Sequence, residues 1–249
     1  MHIRYVNPVG AGALDAYFEE QLAGCAGPDV EVTVSHLDLP DGAVTPFLPD
    51  KPFYHGILFQ TLKRAEEGGL DGVVIGCSGD PGLLEARRMM RIPVAAPLES
   101  ALHLAALLHQ RVAILVADGF EAHVLYRDLA RYYGLDHLIS EIITVPMSYP
   151  EPGRLERLML DEPDEAFRLV LERHRAVLDG EAVELAHGAL GRGAGVIYPG
   201  CTFWTGSMLD AFRVQLDAPV LDPAASGVLM AVAAARARVG TKQAARVGR

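Results

Sequence analysis

The sequence predicts an α/β protein built from two similar halves. Short runs of β-branched residues alternate with longer amphipathic runs, which is typical of parallel sheets with right-handed crossovers. Half of the 249 residues are hydrophobic, enough for a sizeable core. The third observation is an internal repeat: residues 93–105 (PVAAPLESALHLA) and 219–231 (PVLDPAASGVLMA) share Pro, Val, Pro, Ser and Ala at equal offsets.

Each element follows from its own apolar pattern. The predicted strands are short apolar or β-branched runs, at His2–Val6, Val30–Leu37, Gly72–Gly76, Val94, Val112–Val116, Ile139–Val145, Gly195–Tyr198 and Val220. The run GVVIG at 72–76 is apolar throughout, as expected of a strand that is buried on both faces. The predicted helices are the longer amphipathic runs, at Gly12–Leu22, Ile57–Glu67, Leu83–Met90, Phe120–Tyr133, Asp164–Leu178, Ala182–Leu190, Met208–Gln215 and Gly227–Val239.

Composition excludes several classes of function. The chain has 22 basic and 32 acidic residues, a net charge of −10, which argues against binding to nucleic acid. The first residues lack the apolar core of a secretory signal, and no run approaches the roughly 20 apolar residues of a membrane helix. The three cysteines lack CxxC spacing, so neither a disulfide scaffold nor a zinc site is indicated. We therefore expect a cytoplasmic protein with free thiols and no metal, acting on a small molecule.

Two of the three cysteines occupy equivalent places in the two halves. VVIGCSGDPG precedes the first copy of the repeat and VIYPGCTFWTG precedes the second, so that Cys77 lies 16 residues before Pro93 and Cys201 lies 18 residues before Pro219. Each cysteine follows a predicted strand, at the carboxyl edge of a parallel sheet where ligands bind. Cys25 has no counterpart and is interpreted as a packed thiol.

The surroundings of these cysteines suggest acid–base chemistry. The backbone N–H groups of Ser78–Gly79 and Thr202–Phe203 are expected at helix starts, where they favour an anion and lower a thiol pKa from its usual value of about 8.5. If the halves pack face to face about a pseudo-twofold axis, both sulfurs face one cleft. Such a pair could remove a proton next to a carbonyl on one face and return it on the other. The hydroxyls of Ser78 and Thr202 could stabilise the enolate.

Simpler structural roles are open for several of these residues. Either cysteine could be a small core hydrophobe. Asn7 either opens a turn after the first strand or contacts the substrate. Asp80 is interpreted mainly as the cap of a helix that Pro81 begins. Glu99 could likewise serve the start of a helix after Pro97.

These motifs resemble the aspartate/glutamate/hydantoin racemase superfamily. The resemblance rests on Asn-Pro near the start, GCSGDPGLLEAR, PVAAPLESA, PGCT and PVLDP, and within the superfamily it is greatest to the hydantoin and allantoin racemases. It implies two α/β subdomains with the active site between them, and racemisation without a cofactor by the matching pair Cys77 and Cys201. Glu99 matches an acidic residue of the relatives, which also suggest a homo-oligomer. The predicted substrate-binding residues are Asn7, Ser78, Gly79, Glu99, Thr202 and Phe203.

The predicted subdomains are 1–98 plus 219–249, which carries Cys77, and 99–218, which carries Cys201.

Two departures from the relatives leave the substrate open: the first loop reads NPVGAG, without a polar side chain after the proline, and TFWTG follows Cys201. If they face inward, Phe203 and Trp204 would narrow the pocket. The alternatives are therefore a racemase of acidic amino acids, a cysteine-dependent isomerase or lyase, and a non-catalytic sensor of small molecules.

Overall fold

The strands form two separate parallel sheets, which confirms the predicted α/β class. The computed structural model describes residues 1–9, 12–39, 52–117, 120–147, 157–159 and 161–237. The strands within these ranges are β1 (His2–Asn7), β2 (Glu31–His36), β3 (Gly72–Ile75), β4 (Val94–Ala95), β5 (Val112–Val116), β6 (Ile139–Thr144) and β7 (Val196–Pro199). The first sheet has the order β2-β1-β3-β4 and the second the order β6-β5-β7, with every neighbouring pair parallel.

Helices follow the strands in both halves of the chain. In the described ranges they are α1 (Asp15–Leu22), α2 (His55–Glu67), α3 (Leu83–Met89), α4 (Pro97–Leu107), α5 (Phe120–Tyr132), α6 (Pro163–Asp179), α7 (Glu181–Gly191), α8 (Asp210–Gln215) and α9 (Pro223–Arg236). Among them, none has the combination of length and apolar character that a membrane span requires.

The first sheet is centred on β1, which pairs with β2 on one side and with β3 on the other. All four residues of β3 are buried, as its uniformly apolar sequence predicts. Because Val6 pairs with Ile75, the ends of β1 and β3 are level. Asn7 therefore lies beside Gly76, immediately before the first repeated cysteine.

The second sheet repeats this arrangement around β5, whose five residues are all buried. β5 pairs with β6 and with β7, and Leu115 is level with Pro199 at the carboxyl end. Beyond β7, Val220 makes a parallel bridge to Ile197 and occupies the place of β4 in the first sheet. The predicted similarity of the two halves is thus present in the strand order.

The chain divides into two compact units. One comprises Met1–Pro97 together with the chain from Gly227, and the other comprises Leu98–Ser226. The sequence predicts divisions at 98/99 and 218/219. The segment 219–226 lies in the second unit because Val220 pairs with β7. A Cβ atom at Gly227 would lie 2.8 Å from Cγ1 of Val74, so glycine lets α9 approach β3 closely.

Several predicted boundaries differ from those observed. The predicted helix Gly12–Leu22 begins as a 3-10 turn at Gly12–Leu14 before α1. The last helix begins earlier than predicted, at Pro223, and ends at Arg236. Parts of the segment 147–163, and the end of the helix predicted to reach Val239, lie outside the described residues.

Candidate active site: two cysteine turns

The first cysteine turn (76–82) continues from the end of β3. The Gly76 N–H donates to the Val6 carbonyl at 2.8 Å, which extends the pairing of β3 with β1. The Asp80 N–H then donates to the Cys77 carbonyl at 2.9 Å and closes a four-residue turn. The Gly79 N–H donates to Sγ of Cys77 at 3.4 Å. The half-buried sulfur therefore has a backbone donor that stabilises a thiolate relative to a thiol.

The first cysteine turn needs a residue without a side chain at position 76 and a left-handed backbone at positions 80 and 82. A Cβ atom at Gly76 would lie 2.4 Å from Cε1 of Tyr5, so no side chain fits between β3 and the buried Tyr5 ring. Asp80 has a φ of 42°, in the left-handed region, and is buried. Gly82, with a φ of 65°, precedes α3.

The predicted role of Asp80 as a helix cap is wrong. The helix does not begin at Pro81 but at Leu83, and the residue at its N-cap position is Gly82. Asp80 instead forms the corner of the first cysteine turn. The pair Asp-Pro followed by glycine makes a turn here because the left-handed conformations of Asp80 and Gly82 interrupt a helix.

The second cysteine turn (200–206) has the same backbone construction. The Gly200 N–H donates to the Leu115 carbonyl at 2.6 Å, as Gly76 does to Val6 in the first unit. The Trp204 N–H donates to the Cys201 carbonyl at 2.9 Å, as Asp80 does to Cys77. In addition, the buried Tyr126 hydroxyl donates to the Gly200 carbonyl. The two cysteines thus occupy the same position of the same turn in two units.

Neither cysteine turn is the start of an α-helix. The prediction that N–H groups at a helix start would stabilise an anion beside each cysteine is therefore wrong. α3 begins at Leu83, well after Ser78–Gly79. After Thr202–Phe203 the chain first forms a 3-10 turn at Gly206–Leu209 and then α8. The donor that reaches the first sulfur belongs to the turn itself, and not to a helix N-terminus.

Bulky side chains fill the interior behind the second cysteine turn. Thr202 and Phe203 are buried and Trp204 is fully buried. The imidazole of His174, on α6, lies 5.2 Å from the Phe203 ring at an interplanar angle of 88° and 5.4 Å from the Trp204 ring at 65°. Burial lowers the pKa of His174 to about 3, with a smaller contribution from the charge of Arg173, so this imidazole is neutral at physiological pH.

A carboxylate fastens the end of the second cysteine turn to the second copy of the repeat. Asp222 accepts hydrogen bonds from the Thr205 hydroxyl at 2.5 Å and the Gly206 N–H at 2.7 Å. It also accepts from the Ala225 N–H at 3.0 Å, as the N-cap of α9. The corresponding position in the first copy of the repeat is Ala96, which has no carboxylate, so only the second half has these hydrogen bonds.

The remaining predicted binding residues lie in one unit or the other. Asn7 is buried at the end of β1, and its Oδ1 accepts from the Val9 N–H at 3.1 Å, so it does form a local turn. Ser78 is buried beside Cys77. Glu99 is buried in the first turn of α4, within the unit that carries Cys201.

Sequence reasoning missed two residues that shape the second cysteine turn. His174 lies on the apolar face of α6 with Phe167, Val170 and Val177, a spacing that marked it as a core position. Asp222 directly precedes Pro223, the usual signature of an N-cap before a helix that starts with proline. In the described ranges, no group of three or more His, Cys, Asp or Glu side chains could hold a metal ion.

A known protein family matches nearly the whole chain. Residues 3–231 match the model of the Asp/Glu/hydantoin racemase family. The chain belongs to that family. Two curated relatives that match the chain are hydantoin racemases.

The chain is similar to curated proteins and to solved structures. It is 25% identical over 231 residues to a hydantoin racemase from Pseudomonas sp. (strain NS671), covering 93% of this chain and 84% of that one. Among solved structures, the allantoin racemase from Klebsiella pneumoniae superposes with a TM-score of 0.72 at 22% identity, covering 98% and 91% of the two chains. That from Pseudomonas fluorescens gives 0.71 at 18% identity, covering 97% and 94%. These superpositions confirm the fold.

Proposed function

We propose that this chain racemises a hydantoin- or allantoin-like substrate by two-base proton transfer between Cys77 and Cys201. The observation that carries the proposal is the repeated turn. Each cysteine follows a glycine that pairs with the central strand of its sheet, and each accepts at its carbonyl from the residue three positions later. In a racemisation, the group that removes the proton in one direction must return it in the other. Two similar units that each carry the same acid–base group suit such a reaction.

The chemistry balances without an oxidant, a reductant or a group transfer. A thiolate at one cysteine takes the proton from the carbon next to the substrate carbonyl, and the electron pair of that C–H bond moves to the carbonyl oxygen as an enolate. The thiol of the other cysteine then delivers its proton to the opposite face of the same carbon. The two cysteines finish with exchanged protonation states. The scheme requires both sulfurs to reach one substrate carbon, which the mutants below test.

The surroundings of Cys77 support its part in this scheme. The hydrogen bond from the Gly79 N–H to Sγ favours the thiolate that must act as base. We assign stabilisation of the enolate oxygen to the hydroxyls of Ser78 and Thr202, and substrate contacts to Asn7, Glu99 and Phe203. No cofactor is needed for any step, and we expect a chelator to leave the activity unchanged.

The charge of the two turns favours a neutral ring over an acidic amino acid. Residues 76–82 and 200–206 contain no Lys, Arg or His, whereas Asp80 is the one charged residue among them. Aspartate or glutamate would bring two carboxylates, which cationic side chains usually hold. A hydantoin ring presents neutral amide groups, for which backbone and hydroxyl groups are suitable partners.

A substrate panel with cysteine variants tests the proposal. We expect loss of optical rotation from single enantiomers of 5-substituted hydantoins or of allantoin, and no change with aspartate or glutamate. Cys77→Ser and Cys201→Ser should each abolish racemisation, because a serine hydroxyl is a far weaker acid than a thiol. Cys25→Ser, at a half-buried cysteine outside both turns, is the matched control and should retain activity. Racemisation at the wild-type rate by either active-site variant would refute the two-base scheme.

Assembly and location remain predictions. We propose a homo-oligomer, which a sizing column coupled to light scattering would test. We also propose a cytoplasmic location, which the composition of the sequence favours and which fractionation of cells expressing the chain would test.

A further inference from the structure

A buried imidazole lies behind the second cysteine turn, and the proposed chemistry does not use it. His174 is 4% exposed and touches the rings of both Phe203 and Trp204 edge-on. Those rings belong to the second and third residues after Cys201. The imidazole is therefore in contact with the turn without being one of the groups that would touch a substrate.

We propose that His174 is a positioning residue for Cys201. The inference rests on the proposed function, because it matters to catalysis only if Cys201 transfers a proton. The connection runs through the backbone: the Trp204 N–H donates to the Cys201 carbonyl, so a shift of Trp204 would move the cysteine with it. By holding the Trp204 side chain, His174 fixes one end of that hydrogen-bonded turn.

The contact acts through the shape of the ring. Within the described part of the chain, Nδ1 of His174 and Nε1 of Trp204 are buried and make no hydrogen bond. A buried nitrogen without a partner contributes no polar attraction that could hold the turn. Edge-to-face packing of rings with centroids 5 to 6 Å apart is attractive in itself, and both contacts of His174 have this geometry.

The Asp222 carboxylate holds a different part of the same turn. It binds Thr205 and Gly206, the residues after the two rings, whereas His174 binds the rings themselves. Loss of His174 should therefore loosen the segment nearest to Cys201 while Asp222 keeps the far end in place. The effect should be local, and this locality distinguishes a positioning residue from a residue that supports the whole fold.

The chain offers two readouts that do not depend on the substrate. Trp204 is its only tryptophan, so its fluorescence reports on the second cysteine turn alone. Alkylation with iodoacetamide followed by peptide mass mapping gives separate rates for Cys77 and Cys201. In His174→Ala, we expect a red-shifted emission with greater quenching by acrylamide, and alkylation of Cys201 faster by about tenfold. The Cys77 rate should stay within about twofold, since that turn lies in the other unit.

Two further variants complete the test. His174→Phe keeps a flat ring and should retain the wild-type emission and alkylation rates within about twofold. His187→Ala, at an exposed histidine on α7, is the control and should change neither readout. Equal acceleration at both cysteines in His174→Ala, or no change at either, would overturn the proposal. Loss of the wild-type readouts in His174→Phe would overturn it as well, because shape would then not be the cause.

Kinetics separate this inference from the proposed function. If the wild-type chain racemises a hydantoin, His174→Ala should lower kcat by about tenfold with KM within about twofold, because the substrate contacts remain. If the wild-type chain racemises nothing in the panel, the proposed function fails, while the alkylation comparison still decides whether His174 positions Cys201.

Discussion

The two cysteine turns share one backbone design but are held by different neighbours. In both, a glycine pairs with the central strand and the cysteine carbonyl accepts from the third residue along. The first turn has a left-handed corner at Asp80. The second is held by the buried rings around His174 and by Asp222. Equivalent positions in the repeat therefore keep the cysteine, while the neighbours that hold its turn differ.

The largest expected effect comes from the glycine before each cysteine. Gly76→Ala would place a Cβ atom 2.4 Å from the buried Tyr5 ring, and Gly200→Ala would place one 2.9 Å from the Leu115 carbonyl. We expect each to lower the free energy of unfolding by about 3 kcal/mol. Gly56→Ala, on α2 with nothing within 4 Å of its Cβ, should instead raise it by up to about 1 kcal/mol. Urea titration followed by circular dichroism measures all three, and equal values for Gly56 and Gly76 would contradict the account.

A smaller effect should be confined to the second turn. Asp222→Ala removes a carboxylate that accepts from four donors, one of them the Arg213 guanidinium at 3.4 Å, and we expect a loss of about 2 to 3 kcal/mol in the free energy of unfolding. Because Ala96 occupies the equivalent place in the first copy, the alkylation rate of Cys201 should rise while that of Cys77 does not. If both rates rise together, the difference between the two supports is not real.

The smallest effect, taken over the first pH unit below 6.5, is the dependence of stability on pH that His174 contributes. His174 has a pKa of about 3 in the folded chain and an ordinary value near 6.5 when unfolded, so the unfolded state binds the proton first. The resulting stabilisation is complete above about pH 6.5 and is lost as the pH falls towards 3, by at most about 1.4 kcal/mol per pH unit. Urea titrations between pH 7 and 4 should therefore show a steeper loss for the wild type than for His174→Phe. Parallel curves would show that the imidazole is not held neutral.

The alternation of strands and helices was predictable because amphipathic helices and buried strands have different apolar patterns. A clear example is β3, whose four residues are all apolar and all buried. The repeat likewise identified Cys77 and Cys201 as a matched pair. The turns were not predictable in the same way, since a left-handed φ at a residue other than glycine, as at Asp80, has no sequence pattern of its own. The contact of His174 with Trp204 joins residues far apart in the chain, and no local pattern connects them.

The most direct test of the central claim is exchange of the substrate α-proton in deuterated water, followed separately for each enantiomer. If Cys77 and Cys201 serve opposite faces of one carbon, Cys77→Ser should still exchange the proton of one enantiomer without inverting it, and Cys201→Ser should exchange only the other. Loss of exchange from the same enantiomer in both variants, or exchange of both enantiomers in either, would contradict the account.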